Sequence, residues 1–385
     1  MESSAPFRFK TKLVVALLSM ASVAFLLYRD SCQFPAAPSA SASYRHHQPP
    51  APESDVSATA AVGAARIKSI DSFELNTTRD SAHGLGSSTD HREVVDVMIV
   101  FTRARKFRNM REKLSICLTS MFRRCSAPLH LHIVTDGSSQ EVAKQVLVDA
   151  SAGCAVKIAV DFFDVNDILE PFRDVISYMR LHFSPTSGFY NDALFYVSVG
   201  LHRVLPLRRL ILLDIDLRFE SDISLLRRHF SLFPETAVIG MGHELQPVYL
   251  HLFHEHRKRH PETKCGSPSP HGNPGFNSGV LLIDLHRVAT SPVFRNLSSR
   301  KGIEYLTSKY SFRGHLGDQD FYTLLSCERP ELVYVLPCTW NRQLCQWWKD
   351  HGYAQVFDDY HRCEGRVDIY HGNCNTLMPA TLPGS

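Results

Sequence analysis

Two aspartates stand where an apolar run ends. Residues 208–223 read RRLILLDIDLRFESDI: Leu210 to Leu213 are apolar, and Asp214 and Asp216 follow with Ile215 between them. Burying an unpaired carboxylate is costly, so two acids at the end of a buried run need a reason. Side chains alternate along an extended chain, which puts Asp214 and Asp216 on one face and Ile215 on the other. Carboxylates that close repel each other unless a cation joins them. Hard divalent cations prefer oxygen ligands and sit well beside substrate phosphates. The pattern therefore suits a metal site holding a phosphorylated donor. The plainer reading is a helix cap near Asp222 or pairing with arginine, and D-x-D alone does not decide.

Three further segments offer chemistry. GFNSGVLLIDL (275–285) places a small polar turn before an apolar strand. Gly275, Ser278 and Gly279 let backbone approach a ligand, and Asn277 and Ser278 can hydrogen-bond it. GHLGDQDF (314–321) sets Asp318, Gln319 and Asp320 at a helix start, where Asp318 could equally be an N-cap. YHGNCN (370–375) puts His371 beside a glycine in a loop; a lone histidine is more often structural than a ligand.

The elements that must position these residues alternate. Strand patterns occur in VVDVMIVFT, LHLHIVTD and KIAVDFFDV, and helical ones in KFRNMREKLSICLTSMFRRC and SSQEVAKQVLVDAS. Helical patterns also cover Asn166–Arg180 and YNDALFYVSVGLHRVLP before the strand at Leu210. Such alternation predicts an α/β fold with a mainly parallel central sheet and helices on both faces. Ligands of such sheets bind at the carboxyl ends of strands, where Asp214 and Asp216 fall. Later, AVIGMGHEL and GVLLIDL read as strands, and VFRNLSSRKGIEYLTSKY and DQDFYTLLSCERP as helices. The last fifty or so residues, irregular and rich in aromatics and cysteine, read as a cover over the site.

The chain of 385 residues is 44% hydrophobic and 21% charged, which suits a sizeable core. A net charge of +3 without a long basic run excludes nucleic acid as a partner. Leu13–Tyr28 carries no charge and follows Arg8, Lys10 and Lys12. It is short against the about 17–25 residues of a span; the alternative is a cleaved signal peptide, but no clear small-x-small cleavage site closes it. The reading is a cytosolic tail (1–12), a signal-anchor transmembrane helix (13–28), a flexible low-complexity stem (29–92) and a lumenal catalytic domain (93–385). Ten cysteines fit an oxidising compartment, with disulfides expected among Cys327, Cys338, Cys345, Cys363 and Cys374. Asn76 and Asn296 head glycosylation sequons.

Taken together, VFTRAR (100–105), LLDIDL, GFNSGVLLIDL, GDQD and the late His-Gly, in that order, resemble glycosyltransferase family 8. Its members are retaining nucleotide-sugar transferases with a GT-A (Rossmann-like) fold, and the resemblance covers about residues 93–375. It implies that Asp214, Asp216 and His371 hold Mn²⁺, with Mg²⁺ as a substitute. Phe101, Thr102, Arg103, Ile215, Asn277, Ser278 and Gln319 then bind the donor, and Gln319 with Asp318 faces the reacting carbon. Many members follow the late histidine with a glycine and a Lys-Pro-Trp group that clamps the diphosphate. HGNCNTLMPA has no lysine, which leaves that task to metal, backbone or another basic residue, with Arg103 the candidate.

The tail CTWNRQLCQWWKDHGY and CEGRVDIYHGNCN is closer still to the family's xylosyltransferase branch. That branch extends O-glucose glycans on EGF repeats of Notch-type proteins in the endoplasmic reticulum. The resemblance thus implies transfer from UDP-xylose, in α-1,3 linkage, to a xylose–glucose disaccharide on an EGF-repeat glycoprotein. It also implies the endoplasmic reticulum membrane rather than the Golgi. Acceptor-side candidates are Trp347 and Trp348, whose indoles suit a sugar face or a protein surface, and His251 and Asn373. The alternatives are UDP-glucose or UDP-galactose as donor with another acceptor, or a glycan-binding protein that has lost catalysis. The oligomeric state stays open, a homodimer included.

Overall fold

Strands form where apolar residues run nearly unbroken, as sheet covered on both faces requires. In the computed structural model, which describes residues 67–75, 93–107, 109–184 and 192–379, they are β1 Asp71–Leu75, β2 Val95–Phe101, β3 Leu129–Thr135 and β4 Ile158–Asp164. These are followed by β5 Leu210–Leu213, β6 Leu217–Phe219, β7 Ile239–His243, β8 Phe276–Ile283, β9 Val333–Leu336, β10 Arg342–Gln343 and β11 Ile369–His371. The main sheet has eight strands in the order β1-β4-β3-β2-β5-β8-β7-β9. The run β4-β3-β2-β5 is parallel, as is β7 with β9; β8 is antiparallel to both its neighbours, and β1 to β4.

Helices cover both faces. On one, α1 (Asn109–Arg124) and α2 (Gln140–Ser151) bury Leu114, Leu118, Met121, Val146 and Leu147 against Val97, Ile99 and Phe101 of β2. On the other, α3 (Arg173–Phe183) and α7 (Asp318–Glu328, numbered with the helices below) bury Ile176, Met179, Phe321 and Leu324 with Met98. Alternation along β2 decides which residue goes to which side. Between these helices lie α4 Val197–Gly200, α5 Val248–Leu252 and α6 Arg300–Lys309; α8 Ala354–His361 follows α7.

A second sheet, β10-β11-β6, matters most to the site. Strand β11 pairs antiparallel with β6 and sets His371 opposite Leu217, next to the D-x-D turn.

Several expectations need correction. Within the segment read as stem, Asp71–Leu75 is an edge strand on β4, with Phe73 stacked 6.0 Å from Phe162. Five residues beside low-complexity sequence are too short a signal to stand out. The single helix expected over 293–310 is two, because Ser299 caps α6 by accepting from the Gly302 N–H. Disulfides join Cys338 to Cys363 and Cys345 to Cys374 as expected of that group, but Cys327 pairs with Cys265 outside it. Cys117, Cys125 and Cys154 are buried free thiols. Asn296 is exposed. Among the described residues no helix is long and apolar enough to cross a membrane; Leu13–Tyr28, Cys32 and Asn76 lie outside those residues.

Candidate active site

Asp214 leaves β5 with its N–H still bonded to the Gly279 carbonyl of β8 at 2.9 Å. Asp216 is buried, and its carbonyl accepts from the Gly372 N–H at 2.8 Å. These two bonds hold the turn between β8 and the tail. His371 Nε2 then lies 3.5 Å from Asp214 Oδ2 and 3.3 Å from Asp216 Oδ1. One ligand atom from each of the three residues falls within 4.8 Å of the others. Burial opposes a charge on His371, but its bonds to Asp214 and Asp216 outweigh burial and raise it to about 9. Burial likewise opposes charge on Asp216, and His371 and Lys113 hold its carboxyl well below the usual range. The site favours a cation between the acids. Two carboxylates and an imidazole match the donors of a divalent metal.

His371 is aimed by its other nitrogen. Nδ1–H donates to Asn341 Oδ1 at 2.9 Å, which leaves Nε2 toward the acids. The Asn341 amide donates to Asn277 Oδ1 at 2.9 Å, and Asn277 Nδ2 donates to Glu244 Oε2 at 3.2 Å. The same carboxylate oxygen accepts from Gln319 Nε2 at 3.2 Å, while Gln319 Oε1 accepts from the Ser278 N–H at 3.3 Å. One chain of hydrogen bonds thus ties His371 to Gln319.

Most of the residues singled out in the sequence meet in one cavity. Asp214, Ile215, Asp216, Asn277, Ser278, Asp318, Gln319, Trp347, Trp348, His371 and Asn373 all line it. Asp318 accepts from Ser198 Oγ, and burial pushes its carboxyl up to about 7. Asn373 Oδ1 accepts from the Leu344 and Cys345 N–H groups, each at 3.0 Å, beside the Cys345–Cys374 bridge. The tryptophans divide as adjacent residues often do: Trp348 packs into the core, while Trp347 is half-buried with its ring stacked 3.6 Å from His351.

Four residues do not reach this cavity. Phe101 is fully buried in the core and Thr102 is buried beside it. Arg103, in a left-handed backbone conformation (φ 58°), pairs with Asp192, while its N–H donates to Asp136. His251 stands behind Trp348, its Nδ1 taken by the Tyr353 hydroxyl at 2.6 Å.

Three residues that sequence reasoning missed do take part. Glu244 and Asn341 belong to the hydrogen-bond chain. Lys113 of α1 reaches Asp216 Oδ2 at 3.3 Å and Asn375 Oδ1 at 2.8 Å. Its only signal was a charge on an otherwise amphipathic helix, the commonest of surface features.

Glu244 carries a cost that can be measured. Burial raises its carboxyl to about 7 against the bonds from Asn277, Gln246 and Gln319. An acid raised in the folded state keeps its proton after the unfolded chain has lost its own. Stability therefore falls as pH rises from about 4.5 to about 7, by on the order of 3 kcal/mol. Glu244→Gln keeps the shape and the oxygen that accepts from Asn277 and Gln319, and a half-turn of the Gln246 amide would offer its unpartnered Oε1 to the new NH2. The variant should melt above the parent at pH 8 and level with it at pH 4.5, in chelator. Parallel Tm curves across that range would show that the Glu244 carboxyl is not raised in the fold.

No family model matches the chain. It is similar to xyloside xylosyltransferase 1 of mouse (Mus musculus), with 41% identity over 339 residues, 86% of this chain and 83% of that protein. The human (Homo sapiens) protein of the same name is 43% identical over 291 residues, 74% of each chain. Among solved structures, the apo crystal structure of mouse xyloside xylosyltransferase 1 superposes with a TM-score of 0.71 at 42% identity, covering 74% of this chain and 100% of that one.

Proposed function

Because the chain belongs to the xyloside xylosyltransferase family and is a UDP-sugar glycosyltransferase of GT-A fold, we propose a specific reaction for it. It moves xylose from UDP-xylose, with retention, in α-1,3 linkage to a xylose–glucose disaccharide O-linked to EGF repeats. The observation that supports this most is convergence: the D-x-D acids, the tail histidine, Gln319 and two tryptophans line one cavity.

Asp214, Asp216 and His371 are the residues that hold the cation, proposed as Mn²⁺ with Mg²⁺ as a substitute. When bound, such an ion stabilises the charge that develops on the departing diphosphate. Gln319, its amide fixed by Glu244 and the Ser278 N–H, faces the reacting carbon. An amide lacks the charge of a good nucleophile. Asp318, beside it, is turned to Ser198 and biased toward its protonated form. Front-face attack follows: the acceptor oxygen approaches the face from which the phosphate leaves, and its proton passes to the leaving phosphate oxygen. Val100, Leu212, Leu213, Val248 and Leu316 in the cavity wall limit water, which would otherwise consume the donor. Trp347, half-buried, is the acceptor platform, with Asn373 near the metal side.

The proposed setting is the endoplasmic reticulum membrane, with residues 13–28 as anchor and the catalytic body in the lumen. Three disulfides and an exposed Asn296 sequon support an oxidising compartment.

The test is a donor and acceptor panel read by mass spectrometry. Incubated with a xylosyl-glucosyl EGF repeat, the protein should add one pentose from UDP-xylose and little from UDP-glucose or UDP-galactose. Hexose addition would reassign the donor. UDP-xylose hydrolysis without transfer to the repeat would overturn the acceptor.

A further inference from the structure

We propose that Lys113 is the cation that binds the donor's diphosphate, and that its ion pair with Asp216 is exchanged for this contact when metal and nucleotide enter. The inference rests on the reading of the cavity as a UDP-sugar site. Among the described residues that line the cavity, Lys113 is the only lysine or arginine. Arg103, the basic residue favoured by sequence, is held by Asp192 outside it.

Lys113 is a built feature rather than a surface charge. Its side chain is 16% exposed, and its stem rises from α1 beside Met110, which lines the same cavity. A largely buried ammonium is costly unless paired. Here the pair is Asp216, one of the metal-facing acids, and the second acceptor is Asn375. Asn375 sits in a turn where it and Cys374 both adopt left-handed backbone (φ 56° and 59°), with Cys374 bridged to Cys345. An ammonium has three donors. Among the described residues two are used, by Asp216 and Asn375, and one remains for a ligand in the cavity.

Charge decides what that ligand is. In the metal-free site Lys113 neutralises part of the Asp216 charge and so competes with any cation. A divalent ion on Asp214, Asp216 and His371 claims the same carboxylate, and the ammonium is then left beside a second positive charge. A diphosphate dianion relieves that repulsion and accepts the free donors. Lys113 therefore opposes metal binding alone and favours metal with nucleotide, which makes the two cooperative.

This predicts effects of opposite sign from one substitution. In Lys113→Met, a side chain of similar length without charge, Mn²⁺ alone should bind about tenfold tighter by calorimetry. UDP in saturating Mn²⁺ should bind about 30-fold weaker or worse, whereas uridine, which has no phosphates, should bind as to the parent. Lys113→Arg should recover much of the UDP affinity. A merely structural lysine would weaken Mn²⁺, UDP and uridine together, and that pattern overturns the proposal. UDP affinity unchanged in Lys113→Met overturns it as well. A parent protein that binds Mn²⁺ but not UDP would instead overturn the reading of the cavity itself.

Discussion

Replacing Asp216 by asparagine is expected to lower sugar transfer by about a thousandfold or more, since several kcal/mol of transition-state stabilisation are at stake. Asparagine keeps the shape and one acceptor, so the turn and its Gly372 bond survive. What is lost is the charge that draws a cation to the site. The loss reaches further than one ligand, because the same carboxylate is the partner of both His371 and Lys113. Without it, His371 loses a main reason to carry charge, and Lys113 falls back on Asn375. The folded state should persist with a modest fall in Tm, while Mn²⁺ binding, followed by the spectrum of the ion itself, should disappear. Asp214→Asn should be milder, because the Asp214 side chain is 38% exposed and water can replace part of its role. Full transfer by Asp216→Asn in the presence of chelator would end the metal assignment.

Gly279→Ala should also be damaging, although it adds only a single uncharged methyl group. A Cβ at this position would lie 2.3 Å from His371 Cε1 and 2.7 Å from Nδ1. The ring cannot give way: it is buried, its Nδ1 is held by Asn341, and β11 is paired to β6. It must rotate away from Asp214 and Asp216 or push β8 aside. Disturbing the support of a metal-ligating histidine typically costs about 10–100-fold in metal affinity, and overpacking costs about 1–3 kcal/mol of stability. Transfer at low Mn²⁺ should therefore collapse and recover in part at high Mn²⁺, with a Tm lowered by a few degrees. Unchanged Mn²⁺ dependence in Gly279→Ala would show that His371 is not a ligand.

The two variants probe features of different legibility. Asp214 and Asp216 were readable because their message is local: four apolar residues announce a buried strand, and period two puts both acids on one face. That β2, β3, β4 and β5 are strands of a mainly parallel sheet was readable for the same reason. Apolar periodicity reports burial element by element, and alternating strands and helices leave few ways to cover a sheet. Gln319 and Asn277 were legible through their motifs, although those motifs did not reveal that Glu244 joins them.

Pairings between distant segments lay beyond such patterns. His371 is a site residue because β11 pairs with β6, two three-residue strands too short to signal themselves. Lys113 and Arg103 are both basic residues soon after β2, and nothing local distinguishes them. The fold gives Arg103 to Asp192 and turns Lys113 inward to Asp216. Cys327 had nearer candidates in the sequence, yet packing of the 265–274 loop against α7 gave it Cys265. Strand β1 became part of the sheet only because β4 offered a free edge. In each case local sequence set how a segment buries itself. The strand order, which depends on every packed element at once, decided which buried side chains would meet.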